Sequence, residues 1–331
     1  MNIDSARALK AQLVTKQLQP LTVAPKMAAT LGVAARAFSE LERFPRTMAL
    51  GIVRKSKSDF QLAVRIQNRA LEQSPQLEAI RKSAKGEVDV RYVGRVVKRA
   101  PWNQSRQRPL LIGASVGHFR ITAGTLGCFV KTRSAGAPRI LSNNHVLADE
   151  NRGMKGDAVI QPGKYDGGKK AKDSIGALDN SVKLKGNGVN FVDAAIASIK
   201  QSVQFDSRTL RGLRELKGIG PDFLDAGDEV SKVGRTTEVT HGRVTAFELD
   251  NVVVAYDVGN LRFDNQIEIE GSGTGPFSQG GDSGSLIVDA DCQAVALLFA
   301  GGDQGGTNGQ GLTFANPIRA VFDALKIDLL I

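Results

Sequence analysis

Apolar positions change their spacing along the chain, and each change marks a different kind of element. Residues 5–19 carry a weakly amphipathic helical pattern, and Pro20 and Pro25 bracket the break after it. Met27, Leu31, Ala34, Phe38 and Leu41 then recur at spacings of 4, 3, 4 and 3, which lays them along one stripe of a helix ending at Pro45. Residues 47–54 and 60–66 read as strands joined by the charged turn 55–59, and residues 68–84 read as a helix with Leu71, Leu77 and Ile80 apolar. Residues 87–98 alternate like a half-exposed strand. The β-β-α-β order predicts a small α+β module over 1–108. The polar stretch 100–109 has no apolar periodicity, ends in proline and reads as a linker.

Beyond residue 110 short strand candidates follow one another: 126–132, 138–142, 157–161, 191–199, 228–233, 239–247, 251–257, 262–270, 284–289, 293–300 and 311–315. Glycine-rich connections separate many of them. Dense strands with few helices predict a closed β architecture over 109–331. Pro317 opens a final helix.

Composition sharpens this picture in three ways. The 331 residues are 41 % hydrophobic, enough for two cores, and 36 glycines suit tight β turns. Residues 1–108 hold 21 Lys/Arg against 8 Asp/Glu, so the whole net charge of +10 comes from the first third. Such a face suits nucleic acid, acidic protein or anionic lipid, but no aromatic-interleaved motif accompanies it, which favours a plain basic surface over nucleic-acid binding. Cys128 and Cys292 are two isolated thiols, the N-terminus lacks a charged start followed by an apolar core, and no stretch approaches the length of a membrane span. The expectation is a soluble cytoplasmic protein with no membrane partner. No metal-ligand cluster or cofactor motif is present, so no cofactor is expected.

The strongest chemical signal is Gly280-Gly281-Asp282-Ser283-Gly284-Ser285. Acyl transfer needs a nucleophile, a base for its proton and donors for the oxyanion. Glycines around Ser283 permit a backbone that turns the Gly281 and Ser283 amides toward one point. Of three histidines, His118 and His241 lie in strand-like surroundings without a supporting residue, whereas His145 follows the apolar strand 140–142. Asp193, within Val192-Asp193-Ala194-Ala195-Ile196-Ala197, places one carboxylate inside an otherwise apolar strand, where it requires a hydrogen-bonding partner. Asp149, Asp157, Asp173 and Asp179 lie in polar loops and are weaker candidates. The loop 271–281 lacks the Gly-Lys-Ser/Thr ending of a phosphate-binding loop and reads as the shaper of the oxyanion site. The glycine-rich loop 301–311 is expected to be mobile and to order on substrate.

The order His145, Asp193, Ser283, with Gly-Asp-Ser-Gly at the nucleophile, resembles the trypsin/chymotrypsin family. The resemblance spans about 109–326 and argues against the esterase order Ser…Asp…His. It implies a mainly β fold, a chymotrypsin-like double β-barrel with a C-terminal helix, preceded here by the α+β module. It also implies a serine endopeptidase acting on a protein or peptide: Ser283 attacks, His145 is the base, Asp193 orients it, and Gly281 and Ser283 donate to the oxyanion. Segments 49–55, 87–96, 113–118, 123–130, 141–149 and 232–237 resemble the plant narrow-leaf type of trypsin-like protein and its bacterial relatives. That closer likeness implies an intracellular protease forming a homo-oligomer, with 1–108 serving regulation, oligomerisation or partner binding.

Two departures from the secreted digestive enzymes matter. Where trypsin has the acid that selects basic substrates this chain has Phe277, so basic specificity is not supported at that position and Phe277 is expected to narrow the S1 pocket or make it apolar. Ala300 and Gly301 are expected to form one wall, and Asp303 just beyond reads either as a receiver for a basic side chain or as a solvated turn residue. In those relatives the counterpart of Asp282 pairs with a new N-terminus made by cleavage. No Ile-Val-Gly-Gly start exists here, so Asp282 is expected to find another partner. The competing reading is a binding or scaffold protein on a protease fold, with the basic module holding a partner or nucleic acid.

Overall fold

The computed structural model describes residues 1–17, 48–67, 69–93, 101–134 and 136–331. The predicted stripe Met27–Leu41 and the end of the strand predicted over 87–98 lie outside them. The chain divides into two compact units, Met1–Arg99 and Ala100–Ile331.

In the first unit, helix Ile3–Gln17 is followed by strands Met48–Arg54 and Phe60–Ile66, paired antiparallel. Val88–Tyr92 joins the second strand in parallel after a helical crossover. That crossover is not the single helix expected over 68–84. A 3₁₀ turn Arg69–Gln73 precedes helix Pro75–Ser83. Pro75 has no N–H to continue a helix from upstream but suits a first position, and Ser74 caps the new start by accepting from the Leu77 amide at 3.2 Å. Leu13, Leu62, Val64, Ile66, Leu77 and Ile80 form the core of this unit.

The stretch read as a linker is anchored in the second unit. Fully buried Asn103 donates through Nδ2 to the Gly234 and Arg235 carbonyls at 2.5 and 3.0 Å, and the Gln107 amide donates to Gln161 Oε1 at 2.9 Å. Polar residues that tie backbone to backbone look, in sequence, like polar residues that face water.

The second unit is a double β-barrel. In the first barrel the strands run, neighbour to neighbour, Cys128–Thr132, Pro138–Ser142, Ala195–Ser198, Ser174–Ser181, Ala158–Ile160 and Ser115–His118. Gly124–Thr125, just upstream of Cys128–Thr132, pairs back onto Ser115–His118 and closes the ring. Of these, Ser115–His118 agrees with the strand-like surroundings read around His118, whereas Ser174–Ser181 is not among the strand candidates, because its short side chains and polar residues blur the alternation. In the second barrel the ring is Glu229–Gly234, Glu238–Leu249, Gln266–Gly271, Leu312–Pro317, Gln293–Gly301 and Leu286–Asp289, which returns to the first. The segment read as one strand over 262–270 is two. Asn265, at φ +59°, turns the chain from Gly259–Phe263 into Gln266–Gly271. Gly259–Phe263 instead forms a hairpin with Val252–Tyr256.

The strand Gln293–Gly301 shows why the sequence is apolar throughout there. Ala294 and Leu297 face a core shared with Phe129 and Ile140 of the first barrel and with Val321 and Phe322 of helix Ile318–Leu325. Ala296 and Leu298 face the second core, with Val244, Ile269 and Phe277. A strand buried on both faces has no polar alternation to display. After the helix, Ile327–Leu329 returns to pair with Cys128–Thr132, tying the C-terminal segment to the first barrel.

Leu141 is fully buried on the strand that leads to His145. Leu141→Ala is expected to lower stability by about 2–5 kcal/mol through lost burial and a residual cavity, read as a shift in the urea midpoint at constant slope.

Candidate active site

His145 and Asp193 come from the first barrel and Ser283 from the second. His145 sits not on the strand itself but on the short helix Asn144–Leu147 that follows Pro138–Ser142. Asp193 likewise lies two residues before Ala195–Ser198 rather than within it. Both positions have one cause: a polar side chain that must meet partners from several elements sits where the ladder has ended.

The Asp193 side chain is wholly buried. Its Oδ1 accepts from the Asn144 and His145 amides at 2.6 and 3.3 Å, and its Oδ2 from His145 Nδ1 at 2.5 Å. The backbone is held as firmly. Asn143 Nδ2 donates to the Asp193 carbonyl at 2.7 Å, and the Asp193 amide donates to Asn316 Oδ1 at 3.0 Å. With Nδ1 committed to Asp193, the other imidazole nitrogen is left for the cleft. Burial opposes charging His145, but the Asp193 carboxylate, with Glu150 adding to it, outweighs burial and raises the imidazole pKa. The other candidate acids have partners of their own: Asp149 holds Arg152, Asp157 holds His118, Asp173 holds Arg106, and Asp179 holds Arg139 and Lys155. His241 pairs with Ser231 across adjacent strands at 2.7 Å.

Ser283 is partly exposed on a loop whose shape is set by its pinned carbonyls. Thr236 Oγ1 holds the Gly280 carbonyl at 2.8 Å, and Ser285 holds the Asp282 carbonyl through Oγ at 2.6 Å and through its amide at 2.9 Å. In a planar trans peptide the amide points opposite the carbonyl. The Gly281 and Ser283 amides are thereby turned away from these anchors, and neither donates to an acceptor among the described residues. Gly281 takes φ +96° and Gly284 φ +90°, which disfavours side chains. A Cβ would also lie 2.5 Å from the Arg235 guanidinium at Gly281 and collide with the Ser142 hydroxyl at Gly284. Thr125 stitches the loop to the first barrel, its amide to the Ser283 carbonyl at 2.8 Å and its hydroxyl to the Gly281 carbonyl at 2.9 Å.

Asp282 organises this loop from below. Its carboxylate accepts from the Thr236 and Thr237 amides at 2.7 and 3.2 Å, the Thr237 hydroxyl at 2.7 Å and the Gln279 amide at 3.0 Å. The charge partner is Lys232, whose ammonium lies 3.4 Å away with both side chains wholly buried. Burial lowers the Lys232 pKa, against the opposing pull of Asp282. The neighbouring Arg235 forms a two-pronged pair with Asp166 at 2.6 Å on each prong. Neither Lys232 nor Tyr256, which also reaches the site, was singled out from the sequence. The usable sign for Lys232 was a lysine inside the apolar alternation of 229–234.

His145 and Ser283 line one cleft of about 590 Å³. Ala300, Gly301 and Asp303 line it too. Asp303 is exposed and has no hydrogen bond or ion pair among the described residues. Phe277 does not reach the cleft. It is 1 % exposed in the second core, where the Lys232 ammonium lies 5.7 Å from its ring centre, and the adjacent Ser278 lines the cleft instead. A phenylalanine in the strand-to-loop passage is drawn inward by its area, a preference its position relative to the nucleophile did not reveal. Among the described residues no cluster of His, Cys, Asp and Glu is arranged to hold a metal, and no helix is long and apolar enough to cross a membrane.

No family model matches this chain, and no curated protein matches it. Its structure is similar to a chymotrypsin from Cellulomonas bogoriensis, at 19 % identity and TM-score 0.46 over 67 % of this chain and 98 % of that one. It is similar also to the Nocardiopsis protease NAPase, at 17 % identity and TM-score 0.47 over 67 % and 99 %. A third is a serine protease specific for glutamic acid, at 19 % identity and TM-score 0.47 over 67 % and 100 %.

Two outcomes are expected. In an NMR titration His145 protonates above the ordinary histidine value of about 6.5, and Asp193→Asn lowers that midpoint because the raising charge is gone. Lys232→Met strands a buried carboxylate and is expected to cost about 3–5 kcal/mol in urea unfolding.

Proposed function

We propose that the second unit is a serine endopeptidase in which Ser283 is the nucleophile, His145 the general base and Asp193 the group that orients it. The observation that carries this reading is the 2.5 Å His145–Asp193 contact at the edge of a cleft that Ser283 also lines, beside two amides with no acceptor among the described residues. Attack of the Ser283 hydroxyl on a peptide carbonyl passes its proton to His145. The Gly281 and Ser283 amides receive the oxyanion, and His145 returns the proton to the leaving amine. Water then releases the acyl group by the same route.

Asp303 at the cleft wall, and a lining that among the described residues holds no Lys or Arg, support a preference for basic residues in the substrate. The ion pair of Lys232 with Asp282 supports a protease that needs no freed N-terminus to shape its oxyanion loop. The two cysteines are free and buried, which supports a reducing, cytoplasmic setting. The sequence likeness to the narrow-leaf type supports a self-associating intracellular enzyme with a basic first unit for regulation or partner binding.

The test is covalent labelling by a fluorophosphonate together with cleavage of a peptide library. Wild type should label at Ser283 and Ser283→Ala should not; equal labelling removes Ser283 from the role. Cleavage sites without enrichment in Lys or Arg remove Asp303 from substrate selection.

A further inference from the structure

Asp193 has one more partner than the proposed triad requires. The Tyr256 hydroxyl lies 2.7 Å from Asp193 Oδ2, the same oxygen that receives His145 Nδ1. An ionised carboxylate offers about four lone-pair sites. The Asn144 and His145 amides meet Oδ1, and the imidazole and the phenol meet Oδ2, so the buried charge is fully satisfied only with Tyr256 in place.

Tyr256 is brought there by an element outside both rings. It ends the first strand of the hairpin Val252–Tyr256 and Gly259–Phe263. Two contacts dock that hairpin tip on the loop after His145. Glu150 accepts from the Asp257 and Val258 amides at 3.3 and 3.1 Å, and Arg152 bridges Asp257 at 3.2 Å and Asp149 at 2.9 Å. The Tyr256 ring meets the His145 ring edge-on at a centroid distance of 5.8 Å, and on its other side it stacks at 6.0 Å on Phe263, which contacts Phe299. The same residue lines the cleft with Val254 and Ala255.

We infer that Tyr256 is a positioning residue for the His145–Asp193 pair: its hydroxyl donates the fourth hydrogen bond to the Asp193 carboxylate, and the docked hairpin couples that bond to the cleft wall. This rests on the serine-protease reading. Burial and the adjacent Asp193 raise the phenol pKa well above its usual value, so the hydroxyl remains a donor across the working pH range. Its donation draws charge from the carboxylate and moderates how strongly Asp193 holds a proton on His145.

The test compares wild type, Tyr256→Phe and protein carrying 3,5-difluorotyrosine at 256, all as the full chain. It reads the His145 titration by NMR and the rate of fluorophosphonate labelling against pH. Loss of the hydroxyl should raise the His145 midpoint by about half a unit and slow labelling about 10–100-fold, the range for a hydrogen bond to a charged group. The more acidic fluorinated phenol donates more strongly and should lower the midpoint; a purely structural ring would leave it unmoved. It also keeps the proposal testable if Tyr256→Phe does not fold. An unchanged His145 midpoint in the fluorinated protein, or in folded Tyr256→Phe, overturns the inference. Failure of wild type to label at Ser283 overturns the protease reading, while the His145 titration still reports on Tyr256.

Discussion

A carboxylate with no access to water must find every partner inside the protein, and Asp193 sets that demand at the centre of this molecule. Its donors come from the turn after one barrel strand, from the imidazole on that turn and from a hairpin inserted between strands of the other barrel. Satisfying it therefore brings the first barrel, the hairpin and the loop after His145 to one place. Asn316, on a strand of the second barrel, closes the arrangement by holding the Asp193 backbone, and it is itself held by Gln266 at 2.6 Å.

The same demand operates a second time beneath the proposed nucleophile. Asp282 is buried as completely, and its four hydrogen-bond donors and one ammonium come from residues 232–237 and 279. Fixing Asp282 fixes the carbonyls around it, and the planarity of the peptide carries that constraint to the amides of Gly281 and Ser283. The two centres are joined through Thr125, which bonds the nucleophile loop from the first barrel. The catalytic geometry proposed here is thus a consequence of charge satisfaction at two buried sites, with the apolar wall of Gln293–Gly301 holding the barrels in register behind them.

The differences between expectation and structure fall where tertiary partners override local pattern. Phe277 was placed in the pocket by its distance from Ser283, but its ring is held in the core and Ser278 faces the cleft. Asn103 and Gln107 read as linker by polarity and turn out to cap backbone carbonyls and pair with Gln161. Pro75 divided a continuous helical pattern because the cap at Ser74 offered a better start than a strained continuation. The strand 262–270 split at Asn265, and that split frees the hairpin that carries Tyr256.

By itself the sequence determined the β-rich texture after residue 110, the α+β order before it, and the identities of His145, Asp193 and Ser283 as candidates for one site. These were readable because period-2 patterning and the flanking glycines are local properties, and because a lone carboxylate among apolar residues declares its need for a partner. The tertiary structure alone decided which groups answer that need: Tyr256 for Asp193, Lys232 for Asp282, and Ser278 rather than Phe277 at the cleft. Those choices depend on how far apart side chains end up after two barrels close and pack. That distance is a property of the assembled rings, and no window of neighbouring residues encodes it.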